Sequence, residues 1–325
     1  MALAGLENKE LNLIIFGGKG GVGKTSCAIA TALALSHNYK TLLISTDPAH
    51  SVSDCLEQQI GFKVTEINGT TNLSAIEVVA DEALLVFINE HKKELKKLLD
   101  TSTNLDDDDV DEMLTLSIPG IDEVMSFKTI IDFIEKGEYD KYVVDTAPTG
   151  HALRLISSPK LLDEWIKVAA RMRWKYRYML TSFSGSYQQD DVDAFLFSLK
   201  KTVKRIENIL RDNTKSEFIP VCIPEAMAIN ETGRLLADLA KSGIIAQQII
   251  VNNVMSSDGC SFCKSRMAGQ LPYLQQIHET FSTFNTVEIP VFPEEIKGLK
   301  ALNKLKSFLF EKENSEPEKP KTILL

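Results

Sequence analysis

Leu11-Asn-Leu-Ile-Ile-Phe16 runs through Gly17 into Gly18-Lys-Gly-Gly-Val-Gly-Lys-Thr25. The first stretch is a short apolar run, which predicts a buried parallel strand. The second has the G-x-x-x-x-G-K-T spacing of a P-loop, and the alanine-rich stretch from Thr25 to Ser36 predicts a helix after it. Glycines let successive backbone N–H groups turn inward toward phosphate oxygens, and the helix N-terminus adds partial positive charge. Gly18, Gly20, Gly21, Val22, Gly23 and Ser26 are therefore expected to line a nucleotide phosphate cradle. Lys24 is expected to neutralise the β- and γ-phosphates, and the Thr25 hydroxyl to ligate Mg2+.

Moving outward, Thr41-Leu-Leu-Ile-Ser45 predicts a second strand and Leu73 to Val79 a third. Further strands are expected at Lys141 to Asp145, Glu217 to Ile223, Gln248 to Asn252 and Val287 to Val291, with a last helix over Leu299 to Phe310. Strands alternating with helices predict an α/β fold, a parallel sheet flanked by helices in the P-loop NTPase manner. Two stretches break the alternation and read as consecutive helices. The expected organisation is a nucleotide-binding core over 1–81, 137–159 and 212–310, interrupted by a helical insertion subdomain over 82–136 and 160–211. Both insertions leave the C-terminal edge of the sheet, so they are expected to meet in space. Residues 311–325 are charged and carry two prolines, which predicts a disordered tail.

The bulk composition agrees with a soluble domain of this size. Of 325 residues, 44 % are hydrophobic and 25 % charged, and the net charge of -9 disfavours a general nucleic-acid surface. Met1 to Leu11 carries Glu7, Lys9 and Glu10 in place of a signal peptide's apolar run, and no uncharged stretch approaches the ~20 residues of a membrane span. The chain reads as cytoplasmic. Its five cysteines are too few for a disulfide scaffold; Cys27, Cys55 and Cys222 read as reduced thiols in apolar surroundings.

Three further motifs narrow the reading. Lys19 places a second lysine inside the loop; Ser45-Thr-Asp-Pro-Ala-His-Ser51 follows the second strand; and Asp145-Thr-Ala-Pro-Thr-Gly-His151 follows the strand at Lys141. The last two set carboxylates at strand C-terminal ends, where ligands bind in open α/β sheets. Together these motifs resemble the ArsA-type ATPases of the deviant Walker A class, and within them the guided-entry branch that targets tail-anchored membrane proteins. The resemblance extends from Phe16 to about Phe310. It implies an ATP-hydrolysing targeting chaperone that cycles as a homodimer and meets the membrane transiently through a receptor. Lys19 would reach the partner's nucleotide, supplying a cation in trans as an arginine finger does. Asp47 would orient and polarise the attacking water, with Pro48 and His50 in the same switch. Asp145 would hold magnesium, and Pro148, Thr149 and Gly150 would form a switch that responds to the γ-phosphate. Glu225 and Asn252 match nucleotide-contacting positions, Asn252 because an amide can both donate to and accept from adenine's edge. Phe292 and Pro293 match the adenine-packing position more loosely.

Cys260-Ser-Phe-Cys263 is a lone C-x-x-C. A closed zinc site needs four ligands, so one pair supplies half and a two-fold mate could supply the rest. The resemblance implies this shared Zn2+; a redox dithiol and an unliganded pair remain open alternatives. The insertions are expected to present apolar side chains to a client's transmembrane helix, with Met113, Leu116, Met125, Trp165, Met172 and Met179 as candidates. The ordinary burial of amphipathic helices competes with that reading. An alternative is the energising ATPase of an arsenite pump, which usually joins two P-loop halves and carries a cysteine triad; this chain has one P-loop and no such triad. A membrane-cycling ATPase of the MinD type would end in an amphipathic anchor, whereas the helix ending at Phe310 is followed by a charged tail. A nitrogenase-reductase relative would need cluster-ligating cysteines at another spacing.

Overall fold

A computed structural model of the chain describes residues 2–100, 121–147, 160, 163–164, 166–171, 190–255 and 260–311. Its centre is an eight-stranded sheet in the order β3-β4-β2-β5-β1-β6-β7-β8. The strands are β1 (Leu13–Gly17), β2 (Thr41–Ser45), β3 (Thr65–Glu66), β4 (Leu73–Glu77), β5 (Lys141–Asp145), β6 (Ser216–Cys222), β7 (Gln248–Val254) and β8 (Asn285–Pro290). All neighbours pair in parallel except the two-residue β3, which is antiparallel to β4. From β1 the chain winds outward through β2 to β4, returns to β5 beside β1, and leaves through β6 in the other direction. That reversal opens a crevice at the C-terminal ends of β1 and its neighbours, where the glycine-rich loop sits.

Every residue of β1, β2, β4 and β5 is buried, because helices cover both faces of the sheet. Alternation along the strands sorts side chains between the two layers. Ile14, Leu43, Ala75 and Val143 pack with α1 (Lys24–Leu35), α2 (Ser51–Leu56) and, at the far end of the chain, the helix Gly298–Phe310. Leu13, Leu42, Ile44, Ile76 and Val144 pack with α3 (Ala80–Glu90), α4 (Lys92–Asp100), α5 (Ile121–Lys136), α6 (Asp191–Arg211) and α7 (Ala226–Lys241). α8 (Ser261–Thr280) supplies Ile277 to a smaller cluster with Ile249 and Val251, and Gly298–Phe310 is α9.

The described parts of both insertions share a core with the sheet. α3 packs on α5, α4 on α6, and α5 on α6. Met125, expected on a client surface, is instead 1 % exposed within that core beside sheet residues. It sits on the face of α5 turned toward α3, lining a small cavity with Ala83, Phe87 and Thr129, while Phe127, Ile130 and Ile131 form the buried stripe on the helix's other side. Met113, Leu116, Trp165, Met172 and Met179 lie outside the described residues, as do Pro148, Thr149 and Gly150. Among the described residues no helix is long and apolar enough to cross a membrane.

Opposite the crevice, the N-terminal segment is stitched across the other rim of the sheet. Leu3 donates its N–H to the Leu309 carbonyl (2.7 Å), Ala4 exchanges hydrogen bonds with the Gln248 amide (2.7 and 2.9 Å), and Asn285 Nδ2 donates to the Ala2 carbonyl (3.0 Å). Lys141, fully buried at the start of β5, donates its ammonium to the carbonyls of Asn8 and Leu11 and lies 4.7 Å from the centre of the Tyr39 ring. Carbonyl oxygens and an aromatic face thus replace the water its charge loses on burial.

Candidate active site

One register row crosses the sheet at the crevice: Phe16 on β1 pairs with Asp145 on β5, Asp145 with Ser45 on β2, and Ser45 with Glu77 on β4. Paired residues in a parallel ladder share a face, so Asp145, Ser45 and Glu77 all project toward the α1 layer, two residues past Val143, Leu43 and Ala75. The glycine-rich loop, the Asp47 loop and the start of α2 meet over this row.

Gly23 caps α1 at φ 94° and brings the chain into the helix at Lys24. Two glycines there are required by space as well as by φ. A Cβ on Gly18 (φ 151°) would lie 2.2 Å from the Val221 carbonyl oxygen, and one on Gly23 would lie 2.3 Å from Asn252 Nδ2. The loop is therefore pressed against β6 and β7, and its N–H groups face the crevice at the helix N-terminus.

Lys24 is 5 % exposed and its Nζ donates to the Lys19 carbonyl at 3.2 Å. Burial lowers the Lys24 ammonium below the ordinary lysine value, against the opposing charges of Asp145 and Asp47. The Thr25 hydroxyl donates to Asp145 Oδ2 at 2.7 Å. Burial pushes the Asp145 carboxyl up to about 7, while the Thr25 hydrogen bond and the Lys24 charge pull the other way. Asp145 Oδ1 is buried with no hydrogen-bond partner among the described residues. A buried carboxylate with an oxygen to spare, beside a hydroxyl and an ammonium, fits a hydrated Mg2+ carried with a triphosphate. Thr25 and Asp145 are the residues that would hold it, and the ion would supply charge neutralisation across the phosphates.

Asp47 is half-buried in the loop that follows β2. Its N–H donates to Ser45 Oγ (3.2 Å) and its Oδ1 accepts the Ala49 N–H (3.0 Å), so the carboxylate helps fold its own loop. Pro48 and His50 are exposed, and His50 takes the left-handed conformation at φ 51°. Lys19 is half-exposed at the loop's outer side.

The base-side candidates gather along the same rim. Asn252, 5 % exposed, donates Nδ2 to the Val22 carbonyl at 2.9 Å, while its Oδ1 has no partner among the described residues. Half of the amide thus buttresses the loop, and the acceptor half is left for a ligand's donor. Glu225 is exposed at the N-cap of α7. Val291 donates its N–H to the Val254 carbonyl (2.9 Å), which brings Phe292 and Pro293 beside the end of β7. The Phe292 ring meets Phe308 edge-on at 5.6 Å, with Lys304 Nζ 5.4 Å from its centre.

Cys260 and Cys263 stand apart at the start of α8. Their sulfurs are 3.4 Å apart, and the Cys263 N–H and thiol lower the Cys260 thiol below its usual value. Among the described residues no group of three or more His, Cys, Asp or Glu could hold a metal. Cys27 and Cys222 are buried as read, and burial pushes Cys222 up to about 12, whereas Cys55 is half-buried with its sulfur 3.8 Å from the Ser26 hydroxyl.

One residue of this site escaped the motif reading. Glu77 is buried at the end of β4, with one oxygen 2.8 Å from His50 Nδ1 and the other 3.0 Å from the Ser53 N–H. The available signal was a lone carboxylate closing an apolar strand, a pattern that burial makes costly unless the charge has partners.

The model of the anion-transporting ATPase family matches residues 11–311. ATPase ASNA1 homolog 1 of Paramecium tetraurelia is 34 % identical to this chain over 329 residues, covering 98 % of the chain and 95 % of the relative. ATPase GET3 of Phaeosphaeria nodorum is 34 % identical over 314 residues (92 % and 94 % covered), and ATPase GET3 of Malassezia globosa 33 % over 315 (94 % and 92 %).

Proposed function

This chain belongs to the anion-transporting ATPase family and is an ATPase, and from that premise we propose that it is the guided-entry targeting chaperone for tail-anchored membrane proteins. The observation that carries the proposal is likeness over more than nine-tenths of the chain to relatives named ATPase GET3. The arsenite-pump alternative is not favoured: the chain has one P-loop and no cysteine triad on its insertions.

In this reading ATP lies across the crevice with its phosphates on the loop from Gly18 to Ser26 and Lys24 against the β- and γ-phosphates. Asn252 accepts from the adenine amino group, Glu225 contacts the nucleotide, and Phe292 and Pro293 pack near the base. Asp47 orients the attacking water. Two copies face each other, and Lys19 of each supplies a cation to the other's triphosphate. Pro148 to Gly150 relay the state of the γ-phosphate to the insertions.

The client surface is the apolar face of those insertions. Among their described residues Leu85, Val86, Val168 and Phe197 are each 45–57 % exposed, apolar area that a client helix would cover. A membrane receptor would then collect the client from the cytosol. Co-expression with a tail-anchored protein checks this: a soluble complex dependent on ATP is expected. Clients that stay aggregated, together with hydrolysis stimulated by arsenite, would reassign the chain to a pump.

The Cys260–Cys263 pair, one exposed and one half-buried, supplies two thiolates toward a zinc shared across the dimer. Metal analysis of the purified dimer is expected to find about one Zn2+ per two chains. A metal-free dimer of normal mass would leave the pair as a dithiol.

A further inference from the structure

The loop carrying Asp47 is fastened at both ends, and only one fastening belongs to the nucleotide machinery described above. At its start, the Thr46 N–H donates to the Asp145 carbonyl at 2.9 Å. At its end, His50 Nδ1 lies 2.8 Å from Glu77 Oε2, and the Ser53 N–H at the start of α2 donates to Glu77 Oε1 at 3.0 Å. The Glu77 side chain is 2 % exposed, while that of His50 is 61 % exposed. One buried carboxylate thus grips both the last loop residue and the first turn of the next helix. His50 holds a positive φ of 51°, a conformation that persists in a residue with a Cβ where the surroundings enforce it. Glu77 itself is set rigidly: it sits in the β2–β4 ladder opposite Ser45, and its own N–H donates to the Gly61 carbonyl at 3.0 Å.

We propose that Glu77 is a positioning residue for ATP hydrolysis, holding the Asp47 loop in register with the nucleotide through His50 and the Ser53 N–H. This rests on the reading of Asp47 as the group that orients the attacking water. Hydrolysis of a phosphoanhydride depends mainly on such placement, so a carboxylate that touches neither water nor phosphate can still govern kcat.

The latch is charge-assisted, which gives it a signature that a packing role lacks. Glu77 on β4 holds the His50 imidazolium above the ordinary histidine value, first through the hydrogen bond and then through its charge. Asp54 on α2 and Glu82 on α3 add in the same direction, against desolvation. A raised folded value means that the charged latch is complete below the ordinary histidine range and is lost as pH rises through the folded value. The kcat profile should therefore carry a descending limb on the alkaline side that belongs to His50.

Glu77→Gln keeps the side-chain shape and an acceptor for the Ser53 N–H but removes the charge. The expected result is a kcat about tenfold lower, ATP affinity within about twofold of wild type, and a descending limb moved toward lower pH. The His50 imidazole, followed by NMR, should titrate lower by the same interval. His50→Asn changes an exposed side chain and keeps the comparison open should Glu77→Gln fail to fold; it is expected to lower kcat similarly and abolish the limb. Combining the two should cost no more than either alone. Wild-type kcat and an unmoved limb in either folded variant overturn the proposal, as does a loss confined to ATP affinity. An inactive Asp47→Asn beside a normal Glu77→Gln would sink this inference alone, whereas an active Asp47→Asn would sink the reading beneath it.

Discussion

Asp47→Asn is expected to bind ATP with affinity within about threefold of wild type while its turnover falls by about 10²–10⁴-fold. The substitution separates two jobs of one side chain. Asp47 Oδ1 accepts the Ala49 N–H at 3.0 Å, a contact that an amide oxygen can keep, so the loop fold should survive. What asparagine lacks is the negative charge that, on the proposed reading, polarises a water against the γ-phosphate, and such polarisation matters in the transition state far more than in the bound ground state. Removing an anion from the neighbourhood of a triphosphate does not weaken binding. Phosphate release under single-turnover conditions, paired with titration of a fluorescent ATP analogue, checks both halves. Turnover within tenfold of wild type would remove Asp47 from the chemistry.

Lys19→Ala should give a comparable loss, about 10³-fold in kcat, by a different route. The Lys19 backbone carbonyl accepts Lys24 Nζ at 3.2 Å, and alanine keeps that carbonyl, so the cradle should retain its shape and its affinity. On the proposed reading, the lost element is a cation lent to a neighbour. Mixing tests this directly, because the Lys19→Ala chain retains Asp47 and the Asp47→Asn chain retains Lys19. In a mixed dimer, the site on the Lys19→Ala chain receives its lysine from the partner and its aspartate from itself. Random reassortment of equal amounts should then restore about a quarter of wild-type turnover from two inactive proteins. A mixture as inactive as its components, or a Lys19→Ala chain that hydrolyses ATP normally, would end the trans reading.

Much of the fold and the heart of the site were legible from local pattern. β1, the glycine-rich loop and α1 could be read from a single stretch, and β5 falls on the expected residues, because buried parallel strands are short apolar runs whose ends are marked by turn chemistry. The two-residue β3 was not legible: Thr65–Glu66 has no apolar period, and only pairing with β4 makes it a strand. β4 ends at Glu77, short of the expected Val79, because Val79 is already the N-cap of α3. The burial of Lys141 was not legible either, since its partners Asn8, Leu11 and Tyr39 lie far away in the chain. The Asn252 contact to Val22 and the Glu77 contact to His50 are illegible for the same reason. Pattern reports which face a residue occupies; the identity of a polar partner depends on how distant segments cross.

The stitching of the N-terminal segment has a consequence for how the chain is made. Residues 2–4 leave the ribosome long before their hydrogen-bond partners, Gln248, Asn285 and Leu309. The α1 layer waits in the same way, because its main helical neighbour is α9. Helix α1 therefore lacks that neighbour until α9 emerges, and the ATPase core closes only once synthesis has passed residue 309.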